Sequence, residues 1–212
     1  MHIKNIIHLV LGPIEANCWI TESDDIVSVI DPGDEAGTII SILKEKSLTP
    51  KYILLTHGHF DHIAAVPSLA AAFNPRPQIA IHRLDSHFLG PDAYKTQCLS
   101  AKAALGDISF IDKSWQNMPS ADILLDDGSQ IGPFTVLHLP GHTPGSAAFW
   151  NKDSNLLFTG DTLFRNGYGR TDLPGGSKEQ LFKSLERLFE MDPDTAVYPG
   201  HDETTTIGQE AG

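Results

Sequence analysis

The 212 residues carry 41% hydrophobic side chains, enough for one core and little for two, so a single domain over residues 1–212 is expected. Lys and Arg number 15 against 27 Asp and Glu, a formal charge of -12, which argues against a surface that tracks nucleic-acid phosphates. No apolar run approaches the roughly 18 residues of a bilayer span, and Cys18 and Cys98 form no CxxC pair, so a soluble cytoplasmic protein with free thiols is expected.

The N-terminal apolar run is interrupted by His8 and followed by Pro13 and Glu15, which reads as strand, turn, strand rather than a signal peptide. Strands are predicted over 3–11, 17–21 and 26–30, and Asp31-Pro32-Gly33 closes the third with a turn. Ile39, Ile40, Leu43 and Leu48 give a helical stripe that ends near Pro50, and a short strand follows over 52–56. A helix is read from Asp61 through Ile63, Val66, Leu69 and Ala70, then a strand over 78–81 and one helix over about 85–105. Strands come next at 134–139, 147–150 and 156–159. Ser177, with Gln180 three residues on, caps a helix whose apolar face is Leu181, Leu185, Leu188 and Phe189, and a strand over 195–198 follows. Strands in runs with helices between them predict a layered α/β protein.

Chemistry concentrates in LLTHGHFDH, residues 54–62, where an apolar strand runs straight into His57, His59, Asp61 and His62. His57 and His59 are two apart, so on an extended backbone both imidazoles point to one side. A single histidine is most often an exposed loop residue. Four ligand-type side chains so close together are not, because burying them without partners costs free energy and neutral imidazole is the commonest protein metal ligand. Three further candidates each end an apolar run: His142 in LPGHTPGS, Asp161 in LLFTGDTLF and His201 in VYPGHDE. Five histidines and two aspartates at strand ends suit two cations that share a bridging carboxylate.

The set H-x-H-x-D-H, G-H-T-P-G-S, G-D-T-L-F and P-G-H resembles the metallo-β-lactamase-fold hydrolases, and within them the short, single-domain glyoxalase II group. The resemblance spans nearly the whole chain. It implies an α/β fold of αββα four-layer type with the metals at the edge between two sheets. It also implies that His57, His59 and His142 hold one metal, that Asp61, His62 and His201 hold the second, and that Asp161 bridges both. True metallo-β-lactamases are expected to resemble the chain less, for want of that bridging aspartate.

A water between two divalent ions loses a proton near neutral pH, giving a bridging hydroxide that attacks a carbonyl, and Asp61 is placed to orient it. No further acid stands out to protonate a poor leaving group. A thiolate, with a conjugate-acid pKa of about 8.5, leaves with little help, so a small-molecule thioester suits the site better than an amide. The resemblance points to S-2-hydroxyacylglutathione, S-lactoylglutathione among them. Zinc is the first choice of metal, with iron or manganese also compatible with His and carboxylate ligation. Oligomeric state has no signal in the sequence.

In FRNGYGRTDLPGG, Arg170 falls where glyoxalase II enzymes carry a lysine that contacts the glycyl carboxylate of glutathione, and Asp172 falls where they carry a tyrosine. Arg170 is therefore a candidate substrate-binding residue; a structural fork onto Asp172 is an equally good reading. The larger glyoxalase II enzymes continue into a helical domain that contributes glutathione contacts, whereas this chain stops at TTTIGQEAG, so weak glutathione affinity is expected. Two other activities on the same fold compete. One is an iron-dependent persulfide dioxygenase using His57, His142 and Asp161; the other is a lactonase or nuclease, disfavoured because no basic surface is visible. His2, His8, His82, His87 and His138 read as capping, packing or supporting groups, the three tryptophans as packing, and Asp31 as a turn residue that can also support a metal-binding histidine.

Overall fold

The computed structural model describes every residue from Met1 to Gly212. Six strands form the first sheet in chain order: β1 (Asn5–Leu11), β2 (Ala16–Ser23), β3 (Ile26–Ile30), β4 (Tyr52–Leu55), β5 (Gln78–His82) and β6 (Ile123–Leu125). β1 to β3 pair antiparallel, and β3 to β6 are parallel. The second half supplies β7 (Gln130–Ile131), β8 (Phe134–His138), β9 (Ala147–Asn151), β10 (Leu156–Gly160), a small ribbon of β11 (Leu163–Phe164) with β12 (Gly167–Tyr168), then β13 (Ala196–Pro199) and β14 (Thr205–Thr206). The second sheet runs β14-β13-β10-β9-β8-β7. Seven α-helices accompany them: α1 (Ala36–Glu45), α2 (Phe60–Ile63), α3 (Val66–Ala71), α4 (Ala93–Leu105), α5 (Ser109–Ser114), α6 (Lys178–Phe189) and α7 (Ile207–Ala211).

Strand periodicity builds the layers. Along β4, Ile53 and Leu55 join one apolar cluster with Ile39 and Leu43 of α1, while Leu54 joins another with Phe134, Phe149 and Phe158 of the second sheet. Along β10 the alternation repeats, with Leu156 and Phe158 facing the first sheet and Leu157 packing with Leu181, Leu185 and Leu188 of α6. Helices therefore cover both outer faces and the two sheets pack inner face to inner face, an αββα sandwich. Central strands are buried on both sides, which is why they read as continuous apolar runs rather than alternating ones.

Two predicted helices are broken, each at a proline. The helix read over 85–105 is a 3-10 turn, Arg83–Phe88, followed by α4, because Gly90 at φ 80° and Pro91 interrupt it. The helix read from Asp61 is a single turn, α2, and a separate α3 that carries Pro67 near its start. A proline there has no N–H to donate backwards, so one continuous helix cannot form. Ser177 caps α6 as expected, its hydroxyl accepting from the Gln180 N–H at 3.3 Å. α5, α7 and the short strands β6, β7, β11, β12 and β14 carry too little periodic pattern to be read from sequence. No helix is long and apolar enough to cross a membrane.

Phe158 is buried at the centre of the inter-sheet layer, against Trp19, Phe134 and Tyr198. Phe158→Ala is expected to lower unfolding stability by about 3–5 kcal/mol in urea denaturation, because it leaves a cavity between two sheets that cannot close on it.

Candidate metal centre

Four strand ends converge on one point. His57 follows β4, and His59, with extended backbone at φ -66° and ψ 148°, opens the turn of α2 that carries Asp61 and His62. His142 lies in the loop after β8, Asp161 directly follows β10, and His201 follows β13. Ligand atoms of His57, His59 and His142 lie within 4.8 Å of one another, and so do those of Asp61, His62 and His201. Asp161 stands between the groups: its Oδ1 is 3.3 Å from His62 Nε2, and its Oδ2 is 3.6 Å from His142 Nε2 and 3.7 Å from His201 Nε2. Asp61 Oδ2 is 3.6 Å from His62 Nε2 and 3.5 Å from His201 Nε2. All seven residues singled out in the sequence are thus brought together.

Glycines make this closeness possible. A Cβ on Gly200 would stand 2.2 Å from Asp161 Oδ1 and 2.8 Å from His62 Cε1, and one on Gly58 would stand 2.3 Å from the Phe88 ring. Any larger residue at either position displaces a site side chain or the loop that carries it.

Hydrogen bonds behind the histidines settle which nitrogen is free. Thr56 Oγ1 donates to Asp31 Oδ2 at 2.6 Å, so its contact with His57 Nδ1 at 3.1 Å is a bond donated by the ring. His62 Nδ1 donates to Asp31 Oδ2 at 3.2 Å, and His142 Nδ1 donates to the Arg170 carbonyl at 2.7 Å. In all three rings Nε2 is left to face the site, the arrangement that supporting hydrogen bonds impose on metal-binding histidines; His59 differs, because its Nδ1 is the nitrogen that lies 2.8 Å from His142 Nε2. His57 Nε2, His59 Nε2, His62 Nε2 and Asp161 Oδ1 are buried without hydrogen-bond partners. Orphaned polar atoms at that density are costly unless something else satisfies them.

Electrostatics divide the imidazoles. Burial, reinforced by the neighbouring rings, pushes His57 well below its ordinary value, and His59 falls to about 3 by burial and the proximity of His142, so both offer neutral lone pairs at pH 7. Burial opposes charge on His62 as well, yet Asp161, Asp61 and Asp31 outweigh it and raise the ring to about 10. Burial also works against the Asp61 carboxylate, but His62 and the hydrogen bond from His201 hold it well below the usual range. Neutral nitrogens lie on one side and a carboxylate field that favours positive charge on the other. This donor set suits a pair of divalent cations.

Two carboxylates support the loops. Asp31 accepts from the Thr56 N–H at 2.8 Å as well as from Thr56 Oγ1 and His62, so it positions His62 and indirectly His57. The turn it occupies, at φ 49°, is therefore more than a chain reversal. Asp85 carries no local signal in the sequence. Fully buried, it accepts from Gly58 N–H at 3.1 Å, Thr143 Oγ1 at 2.7 Å and Gly145 N–H at 2.7 Å, joining the His57-Gly58-His59 loop to the loop of His142. Burial pushes its carboxyl up, and these three donors pull the other way.

A cleft of about 420 Å³ opens over the site, with His59, Asp61, His142, Asp161 and His201 at its base and residues of α4 and α5 along one wall. Arg170 lines it, but its guanidinium forks onto Asp172, Nε to Oδ1 at 2.7 Å and Nη2 to Oδ2 at 2.8 Å. Of the two readings of Arg170, the fork is the one observed. Of the other histidines, His8 stacks on Trp19 at 4.0 Å and bonds Asn17, and His82 stacks on His138 at 4.0 Å; both are packing roles.

Fold and site together define a metallo-hydrolase of two-sheet architecture. The chain belongs to the metallo-β-lactamase superfamily, whose family model matches residues 11–201. Hydroxyacylglutathione hydrolase GloC of Haemophilus influenzae is 36% identical over 212 residues, covering 97% of this chain and 94% of that protein. A di-iron-bound structure of TTHA1623 superposes with a TM-score of 0.84 at 38% identity, covering 97% of this chain and 96% of the other. The BLEG-1 B3 metallo-β-lactamase superposes with a TM-score of 0.82 at 35% identity, again over 97% and 96%. That last likeness is nearer than the bridging position of Asp161 would lead one to expect, and overall similarity therefore does not select the substrate.

Asp85→Asn keeps the side chain's shape but replaces one acceptor oxygen with an N–H donor, which must face either Gly145 N–H or the Gly58 and Thr143 donors. Stability is expected to fall by about 1–3 kcal/mol in urea denaturation, with Asp85→Ala no better tolerated.

Proposed function

We propose that the protein is a dinuclear metal-dependent thioester hydrolase acting on small molecules such as S-2-hydroxyacylglutathione. The observation that carries the metal reading is that His57 Nε2, His62 Nε2 and Asp161 Oδ1 are buried without hydrogen-bond partners, within side-chain groups whose ligand atoms lie within 4.8 Å of one another. His57, His59 and His142 are assigned to one metal, Asp61, His62 and His201 to the second, and Asp161 to both. Zinc is the first choice, and the di-iron form of TTHA1623 supports iron as the alternative. When bound, such cations make water nucleophilic at neutral pH and stabilise negative charge on a carbonyl oxygen.

The chain's own groups do the rest. Asp61, at the cleft floor, accepts a hydrogen bond from the attacking water and orients its lone pair toward the substrate. Asp31 holds His62 from behind, and the Arg170 carbonyl fixes the His142 ring. Apart from the assigned ligands, the only polar side chains on the cleft are those of Gln97, Ser100 and Arg170, none of them an acid suited to protonating an amine. A leaving group that departs unprotonated is required, and a thiolate meets that need better than an amide nitrogen. The likeness to hydroxyacylglutathione hydrolase GloC supports the same choice.

Elemental analysis of the purified protein, paired with S-lactoylglutathione turnover, is expected to give about two metals per chain and measurable hydrolysis. Asp161→Ala is expected to lower metal content and to reduce turnover by at least about a hundredfold, the scale of losing a transition-state stabilising group. One iron per chain, no hydrolysis and oxygen consumption with glutathione persulfide would overturn the assignment in favour of a persulfide dioxygenase.

A further inference from the structure

Granted the thioester reading, on which this inference rests, the cleft's composition bears on which thioester is taken. Glutathione presents two carboxylates at pH 7, and a site built for it needs cations to meet them. No lysine lines this cleft, and its one fixed cation, Arg170, has both of its fork nitrogens engaged by Asp172. The Arg170 hydrogen bonds hold the Asp172 carboxyl down to about 2, so that partner stays charged across the working pH range. A formal charge of -12 on the whole chain adds a field that repels a ligand of net negative charge at long range.

The lining contributed by α4 and α5 has a different character. Ala101, Ala104 and Leu105 of α4, with Phe110 and Ile111 of α5, make it largely apolar, with Gln97 and Ser100 of α4 as its polar members. Leu105 is 57% exposed, and Ile14, also on the lining, is 40% exposed. Exposed aliphatic side chains lining a cleft whose base carries the reacting groups are what an apolar ligand chain would cover.

We propose that the wall formed by α4 and α5 is a subsite for an apolar acyl chain, so that within the thioester class this cleft prefers medium-chain acyl thioesters and hydrolyses the anionic lactoylglutathione less efficiently. Specificity then comes from chain burial along Ala101, Leu105 and Phe110, and the thiol moiety contributes little. Asp172 acts as a specificity element by keeping Arg170 from offering itself to a carboxylate.

The metal-loaded protein tests this with three probes: hexanoyl- and acetyl-N-acetylcysteamine, which share an uncharged thiol, and S-lactoylglutathione. Each methylene that enters the wall is worth about fourfold, so kcat/KM for hexanoyl over acetyl is expected to exceed about tenfold, and hexanoyl is expected to exceed lactoylglutathione. Leu105→Asp, at an exposed position, is expected to cut the hexanoyl-to-acetyl ratio at least about threefold. Asp172→Ala is expected to lower KM for lactoylglutathione severalfold by freeing the guanidinium. Equal kcat/KM for hexanoyl and acetyl, or a preference for lactoylglutathione over both, would overturn the subsite while leaving thioester hydrolysis intact. If none of the three is hydrolysed, the thioester reading fails, and calorimetry with the hexyl and ethyl thioethers of N-acetylcysteamine then decides the subsite. Tighter hexyl binding that Leu105→Asp abolishes supports it, and equal binding sinks it.

Discussion

The Nε2 atoms of His57 and His62 and the Oδ1 of Asp161, buried without hydrogen-bond partners among closely set ligand groups, are the constraint around which the molecule is arranged. Such a cluster survives only where surrounding structure over-determines it. Here the ends of four strands from two sheets do so, β4 in the first and β8, β10 and β13 in the second. Packing of the sheets through Leu54, Phe134, Phe149 and Phe158 is therefore also what sets the spacing of the ligands. The site has no integrity apart from the sandwich.

Asp31 and Asp85 convert that coarse juxtaposition into a geometry. Asp31 directly follows β3 and reaches Thr56, which directly follows β4, and His62 of α2, all on connections that leave the first sheet. Asp85 spans the seam, since Gly58 follows a strand of the first sheet while Thr143 and Gly145 follow one of the second. One carboxylate fixes ring orientation and the other fixes the distance between loops. Both functions need a buried acceptor with two oxygens, which explains why carboxylates stand at these two buried positions.

The ligands were legible because they are local: His57, His59, Asp61 and His62 lie within six residues, and each remaining ligand ends an apolar run beside its own motif. The longer strands were legible for the same reason, and the short β6, β7, β11, β12 and β14 were not. Asp85 was not, because its partners lie 27, 58 and 60 residues away and nothing in HRLD announces them. Arg170 was legible only as a choice, since a guanidinium two residues from a carboxylate can fork onto it or reach for a ligand, and only the loop conformation decides. The broken helices at Pro67 and Pro91 carried a visible signal, the proline itself, outweighed by the apolar stripe around it.

Histidine shows how little residue type determines without surroundings. His62 and His82 are both buried, one raised to about 10 and the other lowered to about 4. Burial pushes both down. Three carboxylates around His62 reverse the effect, whereas His82 meets a second imidazole, stacked at 4.0 Å, with only the weaker fields of Asp126 and Asp127 to oppose it. His82 comes from β5 and His138 from β8, so that stacked pair closes the seam between the sheets, and His138 Nε2 donates to the Pro144 carbonyl two residues from His142. The sandwich thus joins its sheets through imidazoles twice. At the seam His82 is kept uncharged and the stack serves packing; at the strand ends, carboxylates surround His62 and the same side chain becomes a place for positive charge.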